Sequence, residues 1–503
     1  MWADEGAGRA PEQRAAILRR SLPRTAICFS GGGTRSMVAT LGQLRGLAML
    51  GLLDQIGYLS CVSGSAWAVT PFVYAADGVA RLGRVTPPEQ LTCADLACLD
   101  SASLLVPATS NFRETLASFE TQGLVSPDRV WCRAVGQTFL GPVGLETPED
   151  PLGFGPPLEA LGEDVASEVQ MSCRRPRAIQ PFPVVHATLN WPEVRSEQQH
   201  HLPFEYTPLA VGAPQVRELS HEGHTRVVGG SYIEPLGFGG DPLEPVQTSG
   251  LVRVLPPPQP FTLGDMIGSS SAFNAAGRDV RGYPHARYWT PSVSAGGPQV
   301  VNDLFTDGGD VDTTSLLGML RRRLSVIVVF LNSVWPLALD YDPDVWPLPG
   351  QIDPAVPCLF GQPSSRWPHN HVFPQTAYRN LVRTWQRAKR DGRPLVASMR
   401  LPVESNDWWG IEGGWEASIC WVYNDRVRDW ESMLKREVRQ LLPGTSSDLG
   451  EAALARFPHY LTIGENSGAL TRLTTTQANL LSELAGWGVL ASEGTLRDVF
   501  SQR

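Results

Sequence analysis

Short apolar runs that stop at glycine or at a polar turn dominate the first part of the chain. RTAICFS (24–30) is such a run, ends at three glycines, and predicts a buried strand. SMVATLGQLRGLAMLGLLDQI (36–56) carries apolar residues at helical spacing and predicts a helix. YLSCVS (58–63) predicts a second strand, and GSAWAVTPFVYA (64–75) a second helix with Pro71 as its kink point. Strand, glycine turn, helix, strand, turn, helix is a βαβα unit with a parallel strand pair.

Further along, PFPVVHATLN (181–190) predicts a strand, and VRVLPPPQPF (252–261) a proline-rich loop. RLSVIVVFLNS (323–333) is the clearest buried strand of the chain. A long insertion rich in Pro and Trp follows at 334–374, then helices at about 375–390, 426–442 and 473–487. Residues 1–23 are polar and predict a loose arm or a short helix. No internal repeat or low-complexity tract is present in the sequence. The expected fold is α/β, with a central, mostly parallel sheet built mainly by 24–75 and 180–333. Large insertions would decorate it at about 76–180, a candidate lid, and at 334–425. After the arm, 24–503 reads as a single domain.

Composition narrows the function. At 503 residues and 42% hydrophobic, the chain can bury a sizeable core. A net charge of −9 speaks against a nucleic-acid partner and against docking on an anionic membrane by bulk charge. The eight cysteines form no CxxC and none has a histidine at metal-ligand spacing, so neither metal nor cofactor is expected. The start of the chain holds no apolar run of signal-peptide type, and no stretch reaches the length of a membrane span. A cytoplasmic protein is expected, with export by some other signal left open.

Three stretches carry chemistry. In CVSGS (61–65), Ser63 ends a strand just before a helix, the place where a sharp turn presents a nucleophile between small neighbours. The same position suits an ordinary helix cap. SGGGTR (30–35) offers bare backbone N–H groups at a helix N-terminus beside Arg35, which suits an oxyanion or a phosphate. A plain glycine turn with a solvated arginine fits it too. A dinucleotide loop does not, because position 36 is Ser. In FTDGGDVDT (305–313), Asp307 precedes two glycines, where a tight turn could hold a carboxylate able to take a serine proton. Asp303, Asp310 and Asp312 are rivals, and Asp-Gly is also a common turn. For a Ser–Asp–His triad the chain order admits His369, His371 or His459, and His285 is not excluded by spacing.

Taken together, SGGGTRSM, VSGSAW and TDGG resemble the patatin-like lipases, most closely the cytosolic phospholipase A2 and fungal lysophospholipase (phospholipase B) branch. FEYTPLAVG (204–212), IGSSSAFN (267–274) and the whole of 305–333 are similar to further motifs of that branch, in the same order. The match covers 24–75 and 200–333 well and the rest poorly. The resemblance implies a patatin-like three-layer core and a Ser–Asp dyad in place of a triad. Ser63 would be the nucleophile and Asp307 the base. Gly32 and Gly33, with Gly64, would supply oxyanion donors, and Arg35 would hold the substrate phosphate. It also implies a calcium-independent chemical step. Only 23 residues precede the first strand, so a bare catalytic domain without a C2 domain is expected. Two departures stand out: Cys61 replaces the glycine of the elbow, and Ser36 the alanine after the arginine.

The implied substrate is a phospholipid or lysophospholipid, met by peripheral membrane contact. SNFRETLASFETQGLV (110–125) is a candidate amphipathic lid helix. The tryptophans of 335–374 and 407–423 suit an interface or, for 407–423 in preference, the core. An acyltransferase using the same dyad and a non-catalytic lipid-binding protein are the alternatives.

Overall fold

The computed structural model describes residues 2–3, 10–14, 22–123, 125–146, 152–153, 176–178, 180–192, 199–242, 254–255, 257–273, 282–289, 300–444, 454–461 and 472–502. Its main sheet has ten strands: β1 (Thr25–Phe29), β2 (Tyr58–Val62), β3 (Phe182–Trp191), β4 (His200–Tyr206), β5 (Val211–Gly212), β6 (His285–Tyr288), β7 (Val301–Asp307), β8 (Val326–Leu331), β9 (Leu395–Val403) and β10 (Trp415–Tyr423). Five of them, β3, β2, β1, β8 and β10, form a parallel centre. The remaining pairings are antiparallel: β9 closes one side, and β4, β5, β6 and β7 build the other.

Period-2 alternation along the central strands feeds two cores, one on each face of the sheet. Ile27, Phe29, Val326, Val328 and Phe330 point into one. Ala26, Cys28, Ile327, Val329 and Leu331 point into the other. The first face is covered by α1 (Gly33–Met49), α2 (Ala66–Tyr74), α3 (Phe112–Gln122), α4 (Pro127–Phe139), α5 (Leu263–Ser270) and α9 (Thr475–Ala491). The second is covered by α7 (Leu317–Arg321) and α8 (Gln375–Asp391), with the short helix α6 (Gly309–Asp312) beside them. The result is three layers, helices on sheet on helices. In α1, Gly42 lets α9 approach closely: a Cβ there would lie 2.3 Å from the Ser482 carbonyl.

The βαβα start is present as expected, and α2 runs through Pro71. Several other elements differ from the sequence reading. The described part of the arm is tied down: Trp2–Ala3 pairs with Ser231–Tyr232, and buried Glu12 meets Arg322 at 2.7 Å. The proline-rich stretch holds a two-residue strand, Val254–Leu255. The helix expected at 426–442 is two, Arg428–Met433 and Arg436–Arg439, because Leu434 and Lys435 are extended. The region read as an insertion at 334–425 supplies β9 and β10 to the main sheet. In half-exposed β9 Pro402 hides the strand period, and β10, buried on both faces over Ala417 to Trp421, has no alternation to show.

The candidate lid forms a helix over Phe112–Gln122, and its apolar side is already seated, Phe112 packing edge-on to Trp131 at 5.2 Å. Leu124 of that stretch lies outside the described residues. In 407–423, Trp409 and Trp421 are buried, as the core reading had it. Among the described residues, no helix is long and apolar enough to cross a membrane.

Candidate active site

Two strands meet end to end on one edge of β3. β2 runs parallel to β3 and places Val62 opposite His186. β7 runs antiparallel to it and places Asp307 opposite Ala187. Since β4 occupies the opposite edge over 185–191, β2 and β7 must share the same edge, with their C-terminal ends converging. Ser63, the next residue after β2, therefore arrives beside Asp307, 244 residues away in sequence.

The elbow at Ser63 is strained and braced. Its φ is +57°, a left-handed value that non-glycine residues rarely adopt. A short turn, Ser63–Ser65, then leads into α2. The Ser63 N–H donates to Ser270 Oγ at 3.0 Å, and Ser270 in turn donates to the His186 carbonyl at 2.7 Å. Ser65 Oγ accepts from the Val62 N–H at 2.9 Å and donates to the Phe29 carbonyl at 2.9 Å, stitching the ends of β1 and β2 together.

Ser63 Oγ donates to Asp307 Oδ2 at 2.6 Å. Asp307 Oδ1 accepts from the Gly309 N–H at 2.8 Å. The two side chains are nearly sealed, at 7% and 6% exposure for the residues. Burial, and then the charge of Asp310, push the Asp307 carboxyl up to about 7, against the pull of the Ser63 and Gly309 hydrogen bonds. A carboxyl tuned to that range takes and returns protons at neutral pH.

The glycine loop lies against this pair. Gly32 has a φ of +139°, and α1 begins at Gly33. The first amides of a helix have no partner within it and carry the positive end of its dipole. The carbonyl of Gly33 packs on the α-carbon of Gly64, where a Cβ would fall 2.0 Å from the oxygen. Loop and elbow are in direct contact only because residue 64 has no side chain. Gly33 thus touches Gly64, the residue after Ser63, and a Cβ on Gly31 would lie 3.2 Å from the Ser63 Cβ, while Gly32 faces Arg35 and the Asn332 carbonyl.

Arg35 is placed otherwise than its solvated reading supposed. It is 4% exposed, with Nε donating to the Asn332 carbonyl at 3.0 Å and Nη1 to the Tyr460 carbonyl at 2.7 Å. Nη2 lies over Gly32, 2.4 Å from where a Cβ there would sit. Burial lowers its pKa to about 10, so it stays charged at neutral pH.

The rivals have other work. Asp303 pairs with buried Arg226, and Asp312 accepts from Thr314 and Leu317. Asp310 accepts from Thr306 Oγ1 at 3.0 Å. His459 binds the Ser333 carbonyl, His371 the Phe373 carbonyl and His285 the Tyr283 carbonyl, while His369 stacks on Trp408. Among the described residues, no histidine bonds to Ser63 or Asp307. Ser270, in IGSSSAFN, is a further site residue that its local sequence does not single out. Its signal was the run of small residues 268–272, which only a close approach by another chain segment requires.

No family model matches the chain. Cytosolic phospholipase A2 zeta of Mus musculus is 38% identical over 85 residues, covering 14% of this chain and 10% of the relative. Cytosolic phospholipase A2 gamma of Homo sapiens is 38% identical over 87 residues, covering 14% and 16%. These matches thus span a small part of the relatives' length. The solved human GIVD cytosolic phospholipase A2 superposes with a TM-score of 0.49 and 14% identity, covering 98% of this chain and 65% of that one. The sequence relatives are cytosolic phospholipases A2, the branch that the motifs resemble.

Proposed function

We propose that this chain is a serine acyl hydrolase of glycerophospholipids or lysophospholipids that works through a Ser63–Asp307 dyad. The observation that carries the proposal is the 2.6 Å bond from Ser63 Oγ to Asp307 Oδ2 in a buried site. Asp307, as the carboxylate, takes the serine proton while Ser63 Oγ attacks the ester carbonyl. The N–H groups of Gly32, Gly33 and Gly64 receive the negative charge that develops on the carbonyl oxygen. Collapse of the tetrahedral species passes the proton from Asp307 to the departing alcohol and leaves an acyl group on Ser63. Water, deprotonated by Asp307, then attacks the acyl carbonyl, and Asp307 passes that proton to Ser63 Oγ as the bond to Ser63 breaks and the fatty acid leaves. No step in this sequence calls on calcium.

Arg35 contributes a fixed positive charge behind the loop. A phosphate would reach it through Nη2, at Gly32. A cytoplasmic enzyme that meets its lipid peripherally is the setting that fits the cytosolic relatives.

The test is release of fatty acid from mixed phospholipid and lysophospholipid vesicles with a chelator present, comparing wild type with Ser63→Ala. Chelator-resistant release that Ser63→Ala abolishes supports the proposal; equal release by both proteins overturns it. Adding an alcohol acceptor to the same assay separates hydrolysis from acyl transfer, since transfer yields a new ester in place of free acid.

A further inference from the structure

A second arginine stands beside the dyad, in a setting unlike that of Arg35. Arg366 is 59% exposed at its side chain, and its Nη2 lies 3.3 Å from Asp310 Oδ1. An exposed pair at that distance contributes little to stability and exchanges partners readily. The guanidinium is nonetheless held in place. It lies over the ring of Trp367, 4.9 Å from its centroid. Trp367 is buried, and its Nε1 donates to the Gly309 carbonyl at 2.9 Å. Gly309 is the residue whose N–H holds Asp307 Oδ1 at 2.8 Å. Two hydrogen bonds and one stacking contact therefore connect Arg366 to the catalytic carboxylate.

Asp310 is fixed from the other side. Its Oδ2 accepts from Thr306 Oγ1 at 3.0 Å, and Thr306 Oγ1 accepts from Asn190 Nδ2 at 2.9 Å. Asp310 is thus a rigid carboxylate that holds a pre-oriented, solvent-facing guanidinium by one long bond. A stacked planar fork of this kind matches the oxygens of a phosphate better than a single carboxylate oxygen does. Arg35, by contrast, has already committed Nε and Nη1 to chain carbonyls. We propose that Arg366 exchanges Asp310 for the phosphate of the substrate's head group and so selects phosphate-bearing esters at the Ser63–Asp307 site. This rests on the reading of that site as a lipid esterase.

The test measures Ser63-dependent hydrolysis of two monomeric substrates below their micelle concentrations: a short-chain lysophosphatidylcholine and the monoacylglycerol of the same chain. Wild type, Arg366→Ala and Arg366→Lys are compared. For the phosphate-bearing ester, Arg366→Ala is expected to raise KM by about tenfold, the loss of one charge-assisted contact, with kcat little changed. The neutral ester should hold its KM, and Arg366→Lys should recover part of the loss. Equal KM changes for both esters, or none for either, overturn the proposal.

A binding arm keeps this outcome separate from the esterase reading. Calorimetry on Ser63→Ala and on Ser63→Ala/Arg366→Ala uses the same two lipids as probes. If wild type turns over neither ester, the esterase reading falls. A selective, Arg366-dependent affinity for the phosphate-bearing lipid would then still support the anion site, and its absence would remove it.

Discussion

Val62 and Asp307 occupy neighbouring rungs on one edge of β3, Val62 opposite His186 and Asp307 opposite Ala187, although they approach from opposite directions. That abutment brings a serine hydroxyl and a carboxylate within 2.6 Å without any loop having to reach across the site. Both side chains leave the ends of strands, so their separation is set by sheet geometry. Sites positioned in this way hold their groups more accurately than sites on loops.

The raised pKa of Asp307 fixes the sign of the pH dependence. As the proposed base, Asp307 works only as the carboxylate, so kcat is expected to fall with decreasing pH through an acid limb near 7. The charge of Asp310 contributes to that value, and Asp310→Asn should move the limb to lower pH. A pH–rate profile of both proteins checks this; an unmoved limb would remove Asp310 from the account.

The same residue should cost stability. Its folded-state pKa lies above the unfolded value of 3.8, so the folded protein binds the proton more tightly. Stability therefore declines as pH rises from about 4 to 7 and stays reduced above that. Asp307→Asn removes the charge and keeps an oxygen for the Gly309 N–H. The variant is expected to be more stable at pH 8 by on the order of 2–4 kcal/mol, with a smaller gain at pH 5. Denaturant titration at the two pH values measures the difference.

Ser270 braces the elbow through the Ser63 N–H. Ser270→Ala leaves that buried donor without its oxygen, at a cost of about 1–3 kcal/mol. Because the nucleophile loses its brace, kcat should fall by about 10- to 100-fold with KM little changed. A variant that loses stability but keeps kcat would make Ser270 a packing residue only.

Gly64→Ala is expected to abolish the proposed hydrolysis. The new Cβ would fall 2.0 Å from the Gly33 carbonyl, so loop and elbow must separate. Overpacking of this kind costs about 1–3 kcal/mol, and it moves the oxyanion donors as well. Folding is followed by circular dichroism, activity by fatty-acid release; full activity in a folded variant would place the oxyanion site elsewhere.

The legible part of the sequence was the part written in local chemistry. Glycines 31–33 and the small neighbours of Ser63 announce tight turns at strand ends, β1 and β2 are apolar runs cut off by them, and β8 is an apolar run that stops at Asn332. Asp307 stood out through its two glycines. What could not be read was set by long-range pairing. The head-to-head meeting of β2 and β7 has no local signal, and the small residues 268–272 do not say which segment Ser270 bridges to. β9 does alternate, with exposed Ser398, Arg400 and Pro402 between more buried residues, but Pro402 masks the period, and β10 buries five residues in a row, Ala417 to Trp421, so it has no period to read. Arg35 read as a free cation because nothing nearby in sequence shows that the carbonyls of Asn332 and Tyr460 lie above it.

The central claim, that Asp307 activates Ser63 for acyl attack, is tested most directly by covalent labelling. Wild type, Ser63→Ala and Asp307→Asn are incubated with a lipid-like fluorophosphonate, and the adduct is located by peptide mass spectrometry. The account predicts a single adduct on Ser63 in wild type, none in Ser63→Ala, and labelling slowed by at least about 100-fold in Asp307→Asn. An adduct on another serine, or unchanged labelling of Ser63 in Asp307→Asn, would contradict it.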